Sequence, residues 1–156
     1  MMIKVDVLIN ERSWKKYIDN PNDYLKKKLK KVEKKTIIFK KNKFNFSLLL
    51  SGDKEIQKLN KKFRNKNKVT DVLSFPFYEK KILNKLINKN KDKIYLGDII
   101  INLNEIIKMS NNQSFLNIFD KIWIHGLIHL LGYRHTSNQD FFVMQKLEDK
   151  IIKSIQ

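Results

Sequence analysis

The sequence predicts a single α+β domain, in which helices pack on a small mixed β-sheet of about four strands. Its length of 156 residues is the ordinary size of one domain. Apolar residues alternate in short segments of the first two thirds of the chain, whereas they recur at helical spacing in the last third. The chain shows no internal repeat and no linker, so we expect residues 1–156 to form one domain. Strands that come early and helices that come late are typical of the α+β class.

Four segments carry the pattern of a β-strand. Residues 3–9 and 44–50 alternate apolar and other side chains, which places the apolar ones on one face of an extended chain. The short run 72–75 is stopped by Pro76, and residues 95–101 form the fourth predicted strand.

Helices are predicted from start signals and from apolar residues that recur every three or four positions. The first begins near Pro21, directly after the turn residue Asn20. A second opens at Asp53, after Gly52. Three more are predicted in the last third of the chain, around 103–107, at 115–131 and at 140–155.

The segment 79–93 differs in composition from the rest of the chain. It is rich in lysine and asparagine, with a few apolar residues embedded among them. We expect an insertion that is partly helical and lies outside the core. A second polar stretch, residues 64–71, is predicted to be a loop.

The chain is strongly basic, with 33 lysines and arginines against 16 acidic residues and a formal net charge of +17. Such a charge favours a polyanionic partner, most plausibly nucleic acid. All but three of the basic residues are lysines, however, and the chain contains no alanine. This composition is what an AT-rich genome would encode on any protein surface, so charge alone leaves both interpretations open.

Two absences narrow the classes of function. The chain has no cysteine, which excludes a disulfide framework, a cysteine zinc cluster and a thiol nucleophile. No targeting segment is visible, and no apolar run approaches the ~20 residues that a membrane span needs. We therefore expect a cytoplasmic protein that does not bind membranes.

The only three histidines of the protein lie within eleven residues, at His125, His129 and His135. On a helix the first two lie on one face, about one turn apart, where two imidazole nitrogens can reach one ion. Gly132 follows where a helix ends in a residue of positive φ, so the chain can turn and return His135 to the same ion. Three protein ligands leave a fourth position for water, as catalytic zinc sites require. The spacing therefore predicts one zinc ion per chain at the centre of a hydrolytic site.

The spacing of the three histidines is that of the H-E-x-x-H-x-x-G-x-x-H metalloproteases, with one difference. Gly126 occupies the position of the glutamate that acts as the general base in those proteases. The usual mechanism of peptide cleavage is therefore missing, although a metal can still activate water or polarise an oxygen.

Several segments resemble the YbeY family of bacterial endoribonucleases. The sequence HGLIHLLGYRH at 125–135 is similar to the family's H-G-x-L-H-L-x-G-Y-D-H motif. Leu59-Asn60 with Phe63-Arg64, followed by TDVLSFP at 70–76, is similar to a second family signature, and Leu96-Gly97-Asp98-Ile99 and the spacing of Met144 and Glu148 also fit. One position departs from the pattern, because Arg134 stands where the family usually has aspartate. A cation there is expected to weaken metal binding or to favour an anionic substrate, unless it points away.

The resemblance implies a zinc-dependent, single-strand-specific endoribonuclease. Its implied roles are maturation of ribosomal RNA, notably at the 3′ end of the small-subunit 16S RNA, and ribosome quality control, with ribosomes or ribosomal proteins as partners. It implies His125, His129 and His135 as zinc ligands. It also places Arg64 among the catalytic and substrate-binding residues, and we count His125 among the catalytic residues as well. Two alternatives stay open: a non-catalytic ribosome-assembly factor with a structural zinc, and a metallohydrolase of another substrate.

Other polar and aromatic residues near these motifs receive structural interpretations. Thr70, Asp71 and Ser74 could face a substrate, but the favoured interpretation is that they cap a turn and fix the start of a strand. Trp123 and Tyr133 flank the histidines and can stack on bases, but packing in the core is the favoured interpretation.

Overall fold

A mixed sheet of four strands lies at the centre of the computed structural model, which describes residues 1–89 and 92–156. The strands are β1 (Ile3–Ile9), β2 (Lys43–Ser51), β3 (Val72–Pro76) and β4 (Lys93–Asn102). Their order across the sheet is β1-β2-β4-β3. The first three strands in this order run parallel, and β3 pairs with β4 in the antiparallel direction at one edge. The prediction of a mixed sheet of about four strands is confirmed.

Six α-helices surround the sheet, joined by three short 3-10 segments in the described part of the chain. They are α1 (Pro21–Lys35), α2 (Asp53–Arg64), α3 (Lys80–Asn88), α4 (Leu103–Met109), α5 (Phe115–Leu130) and α6 (Asn138–Ile155). The start signal of α1 acts as predicted, since the Asn20 side chain accepts a hydrogen bond from the backbone N–H of Asp23. No helix in the described residues has the length and apolar content that crossing a bilayer requires.

The alternation of apolar residues in the strands divides the sheet into two faces. The side chains of Phe44, Phe46, Leu48 and Leu50 on β2 are buried in the main core, against one face of the sheet, where α1 and α5 pack. On the other face, Ile56 of α2 contacts Leu73 and Ile100 in a smaller cluster. The α2 and α5 helices therefore lie on opposite sides of the β3–β4 edge.

The prediction that residues 79–93 lie outside the core is wrong for α3. Leu83 is buried in the main core, with Leu86 and Ile87 packed against it. The abundant lysine and asparagine obscured an amphipathic helix, whose apolar residues recur at positions three and four apart. Positions 90 and 91 of this segment lie outside the described residues. Whether the segment is an insertion relative to related proteins stays a prediction.

A bulge in β4 lets the end of α5 approach the sheet closely. The register between β2 and β4 shifts beside Gly97, whose φ is +133°. A Cβ atom at this position would overlap the carbonyl oxygen of Phe75 and would lie 3.1 Å from Leu130 Cδ2. Because Gly97 has no side chain, the C-terminal turn of α5 can pack closely against the β3–β4 edge.

Candidate metal centre

The α5 helix carries two of the three histidines and is buried along most of its length. It packs on β3 and β4 on one side and against α6 on another. His125 and His129 lie one turn apart on this helix, and both are half-buried. Because the helix is fixed by packing on two sides, the two imidazole rings are held in one place relative to each other.

The chain turns at Gly132, as the sequence predicted. Gly132 has a φ of +94°, and its N–H donates a hydrogen bond to the His129 carbonyl oxygen, 2.9 Å away. A Cβ atom here would lie 2.9 Å from Lys80 Cβ on α3, so both the backbone conformation and the neighbouring helix favour glycine. The turn directs the chain back over the end of α5 and brings His135 to the other two histidines.

The three predicted ligands come together in space. One ring nitrogen from each of His125, His129 and His135 can be chosen so that all three lie within 4.8 Å of one another. The Nε2 atoms of His125 and His129 are 3.1 Å apart. Two imidazole nitrogens bound to a tetrahedral zinc at ~2.0–2.1 Å would lie roughly 3.3 Å apart. The spacing of the side chains therefore fits a single zinc-sized ion.

The hydrogen bonds at the other ring nitrogens fix which atoms face this point. His129 Nδ1 lies 2.8 Å from the carbonyl oxygen of Tyr133, which can only accept, so Nδ1 carries the proton. His125 Nδ1 likewise faces Glu148 Oε2 at 3.1 Å. In a ring that carries its only proton on Nδ1, Nε2 has a free lone pair, and the two Nε2 atoms face each other at 3.1 Å. A bound cation turns this repulsive contact into coordination, which is the strongest indication of a metal site in the structure.

The protonation state of His129 suits metal binding. Burial lowers the pKa of His129 below its usual value, and nearby His125 and His135 lower it further. The hydrogen bond to Tyr133 and the charge of Glu148 oppose this shift without reversing it. A lowered pKa keeps the ring neutral at physiological pH, and the neutral ring is the form that donates a lone pair to a metal.

Glu148 contacts one of the candidate ligands, and the sequence did not reveal this contact. It lies on α6, one turn after the buried Met144, and reaches His125 across the α5–α6 interface. Its spacing from Met144 was part of the family pattern, but the contact with a ligand 23 positions earlier needs the tertiary fold. A carboxylate on the second ring nitrogen orients the imidazole and increases its basicity toward a metal.

The structure gives a physical reason for glycine at position 126. A Cβ atom there would lie 2.9 Å from Ile99 Cγ2 on β4 and 3.2 Å from Ser74 Oγ on β3. The α5 helix approaches the sheet so closely that the glutamate of the metalloproteases has no space at this position. The expectation that this protein lacks the proteolytic base therefore has a packing basis.

The structure does not bring Arg64 into contact with the histidines. Arg64 is the exposed last residue of α2, on the face of the sheet opposite α5, and its side chain makes no hydrogen bond or ion pair with a described residue. Next to it, Asn65 ends the helix in the left-handed conformation, with φ +56°, and Phe63 packs edge-on against Phe75 at the β3 edge. Arg64 can therefore reach the metal centre only around this edge.

Arg134 has an exposed side chain, and no ion pair or hydrogen bond in the described residues involves it. His135 is also exposed, and its ring lies beside the rings of His125 and His129. Among the described residues, no carboxylate forms a hydrogen bond or ion pair with His135, in contrast to His125.

The structural interpretations of Trp123, Tyr133, Thr70 and Asp71 are confirmed, whereas Ser74 caps no turn and lies in the middle of β3. Trp123 is fully buried, and its Nε1 donates to Asp120 Oδ1 at 2.9 Å. Tyr133 is half-buried against the main core. Asp71 Oδ1 accepts hydrogen bonds from the Val72 N–H and from Thr70 Oγ1, which fixes the start of β3.

The chain is an α+β protein in which a His-x-x-x-His pair on a helix over a mixed sheet is joined by a third histidine after a glycine turn. These three histidines could hold a metal ion. The sequence comparisons narrow this class to one family. The model of the family described as "Endoribonuclease YbeY" matches residues 8–156, and the chain belongs to this family.

Curated relatives resemble the chain over most of their length. The endoribonuclease YbeY of Pelagibacter ubique is 46% identical, and the match covers 99% of this chain and 97% of the relative. Those of Buchnera aphidicola and Thermodesulfovibrio yellowstonii are 39% and 37% identical, with 89% and 83% of this chain covered. Among solved structures, the solution structure of TM1509 from Thermotoga maritima matches with a TM-score of 0.56 at 25% identity. That match covers 96% of this chain and 89% of the other.

Proposed function

We propose that this protein is a zinc-dependent endoribonuclease that cleaves single-stranded RNA. The observation that carries the proposal is the pair of Nε2 atoms of His125 and His129, 3.1 Å apart, with the Nδ1 atom of each ring within hydrogen-bond distance of an oxygen acceptor. Membership of a family of endoribonucleases supplies the reaction class. The geometry of the histidines supplies the place where the reaction would occur.

His125, His129 and His135 would hold the zinc ion. When bound, zinc supplies a Lewis acid that polarises a phosphate oxygen and lowers the pKa of a water molecule. Glu148 keeps the proton on His125 Nδ1, and the Tyr133 carbonyl does the same for His129, so that both rings stay oriented. We count His125 among the catalytic residues as well, because it would hold the ion and the Glu148 carboxylate orients its ring.

The ligand set favours a catalytic over a structural metal. The group found among the described residues consists of three histidines, and Glu148 is directed to a ring nitrogen. A structural zinc site is closed by four protein ligands, whereas a catalytic site leaves one position open. The exposure of His135 supports an open position on the solvent side, where a substrate could enter.

Arg64 would bind the phosphate backbone of the RNA. Its guanidinium is exposed and makes no ion pair within the described residues, so it is available for a bidentate contact with phosphate. Because Arg64 and the histidines lie on opposite sides of the β3 edge, an RNA strand that touches both would cross this edge. An extended single strand follows such a path more readily than a rigid duplex.

The biological role that we propose is maturation of ribosomal RNA in the cytoplasm. The resemblance of the HGLIHLLGYRH and TDVLSFP motifs to the family supports action at the 3′ end of the small-subunit 16S RNA and in ribosome quality control. Ribosomes or ribosomal proteins would then be partners. The +17 charge is compatible with such partners.

A cleavage assay with defined metal content tests the proposal. Full-length protein would be stripped of metal, reloaded with one equivalent of zinc and incubated with a labelled single-stranded RNA and with its duplex. We expect cleavage of the single strand alone, loss of cleavage after chelation, and no cleavage by His129→Ala. Arg12 is exposed and lies outside the site, so the control variant Arg12→Lys should cleave RNA like the wild type. Equal cleavage by His129→Ala and wild type would place the reaction elsewhere.

A further inference from the structure

A cavity of about 270 Å³ opens beside the metal-facing histidines and is bounded by α6. His125 and His135 form one wall, and Phe141, Gln145 and Asp149 of α6 form the other. These three α6 residues are spaced four apart, so they lie along one face of the helix. The cavity is therefore continuous with the proposed metal centre, and most of its second wall comes from one helical stripe.

The start of α6 positions Phe141 next to the third histidine. Ser137 caps the helix by accepting a hydrogen bond from the Asp140 N–H, and Thr136 Oγ1 donates to Asp140 Oδ2. These bonds follow His135 directly in the chain and fix where α6 begins. The ring of Phe141 is then held one turn into the helix, with 54% of the residue exposed.

The chemistry of this cavity fits a nucleobase better than a phosphate. Phe141 offers an aromatic face, and the buried Met144 gives an apolar floor. The amide of Gln145 can donate and accept, and the carboxylate of Asp149 can accept from an exocyclic amino group. Glu148 and Asp149 make the cavity unfavourable for phosphate, in a protein whose net charge is otherwise strongly positive.

We infer that this cavity is a base-binding subsite, in which Phe141 stacks on an unpaired base next to the scissile phosphate while Gln145 and Asp149 contact its polar edge. The inference rests on the proposed function and deepens it, because it gives a physical reason for single-strand specificity. A base must leave its stack to enter the cavity, and a base in a duplex is already paired and stacked.

The same helix offers a matched control. Phe142 is 59% exposed, close to the exposure of Phe141, but it lies outside the cavity, with Lys146 Nζ 5.1 Å from its ring centre. Replacement of either phenylalanine removes the same amount of exposed aromatic surface from the first turns of α6. Only replacement of Phe141 removes a wall of the cavity.

The test measures base stacking without relying on cleavage. Zinc-loaded full-length protein would bind a short single-stranded 2′-O-methyl oligonucleotide, shown by gel analysis to stay intact during the measurement, and 2-aminopurine would replace one base at a time. We expect fluorescence quenching at one position or two adjacent ones. Phe141→Ala should abolish it and weaken binding roughly 5- to 150-fold, the range for loss of one stacked base. Phe141→Trp should retain the quenching, and Phe142→Ala should match the wild type. Unchanged zinc content and thermal midpoint show that each variant is folded.

Several results would overturn the subsite. One is quenching that survives in Phe141→Ala. Another is an equal loss in Phe141→Ala and Phe142→Ala, which would indicate that the exposed start of α6 is a general apolar contact, such as one for a protein partner. A third is the absence of quenching at every position in a protein that cleaves RNA, which would leave the proposed function intact. Conversely, position-specific quenching by a zinc-loaded protein that does not cleave RNA would support the subsite and contradict the proposed catalysis.

Discussion

Glu148 Oε2 lies 3.1 Å from His125 Nδ1, so a carboxylate on α6 fixes the orientation of a metal-facing ring on α5. This contact joins two helices that also pack through the core. It means that the relative position of α5 and α6 and the geometry of the proposed zinc site depend on each other. A change at Glu148 should therefore be visible first in metal affinity.

We expect Glu148→Gln to weaken zinc binding about 10- to 100-fold, the usual effect of removing an orienting partner of a ligand. The amide retains the shape of the side chain but has no charge to stabilise the Nδ1 proton of His125. Zinc affinity can be measured by competition with a chromogenic chelator. Asp149→Asn removes the same charge from the next residue of α6 without touching the ring, so its zinc affinity should stay close to wild type. Equal affinities of Glu148→Gln and wild type would contradict the role of this carboxylate.

The turn at Gly132 gives a second prediction, this time about stability. Gly132→Ala places a Cβ atom in a conformation with φ +94° and against Lys80 of α3. We expect a loss of about 1–3 kcal/mol in the free energy of unfolding, the range for a strained backbone position, with weaker zinc binding because His135 is displaced. Chemical denaturation of the metal-free protein measures the first effect separately from the second.

Gly52 is the matched control for this substitution. Its φ is −122°, and a Cβ atom there would come no closer than 3.4 Å to a neighbouring atom, Glu11 Oε2. Gly52→Ala should therefore cost at most about 1 kcal/mol, the usual range for an N-cap glycine replaced by alanine. Similar losses for the two variants would mean that the conformation of Gly132 has no special importance.

The meeting of the three candidate ligands could be predicted from the sequence, because all three histidines lie within one short segment and the helical period relates two of them directly. Glu148 could not be assigned its role in the same way, because its contact depends on how α6 packs against α5. The need for glycine at position 126 could not be predicted either, since it arises from the close approach of Ile99 and Ser74, which lie on two strands. In each case the missing information was tertiary distance, which local periodicity does not contain.

The predictions for Leu83 and Arg64 differ from the structure because local composition and motifs contain no tertiary distances. Lysine and asparagine dominate the composition of segment 79–93, which predicts a segment outside the core, although only one face of α3 needs to be apolar for Leu83 to be buried. Arg64 was assigned to the site from motif resemblance, and the fold places it across the β3 edge from the histidines. An RNA strand can span this separation, which is why a direct test of Arg64 is informative.

Arg64→Lys retains the charge but loses the planar fork that binds phosphate in a bidentate manner. We expect kcat/KM for RNA cleavage to fall about tenfold, which corresponds to the loss of one charge-assisted hydrogen bond. Zinc content should be unchanged, because the side chain makes no hydrogen bond or ion pair with a described residue. Arg12→Lys is the comparison, since Arg12 is also exposed. If Arg64→Lys and Arg12→Lys both cleave like the wild type, Arg64 does not contribute to the reaction.

The salt dependence of RNA binding separates a defined path from general attraction to lysine. Each phosphate that the protein neutralises releases counterion, and for single strands the slope of log affinity against log salt is about −0.7 per contact. A strand that crosses the β3 edge between Arg64 and the histidines should use only a few contacts, about 3–6 by analogy with other single-strand grooves. We therefore expect a slope of roughly −2 to −4 between about 50 and 200 mM salt, measured with zinc-loaded protein and a non-cleavable RNA.

Arg64→Ala should make the slope less steep by up to about 0.7, whereas Lys30→Ala, on the exposed side of α1, should leave it unchanged. A much steeper slope that responds equally to both variants would show that RNA coats the lysine surface, and the +17 charge would then reflect composition rather than a binding path.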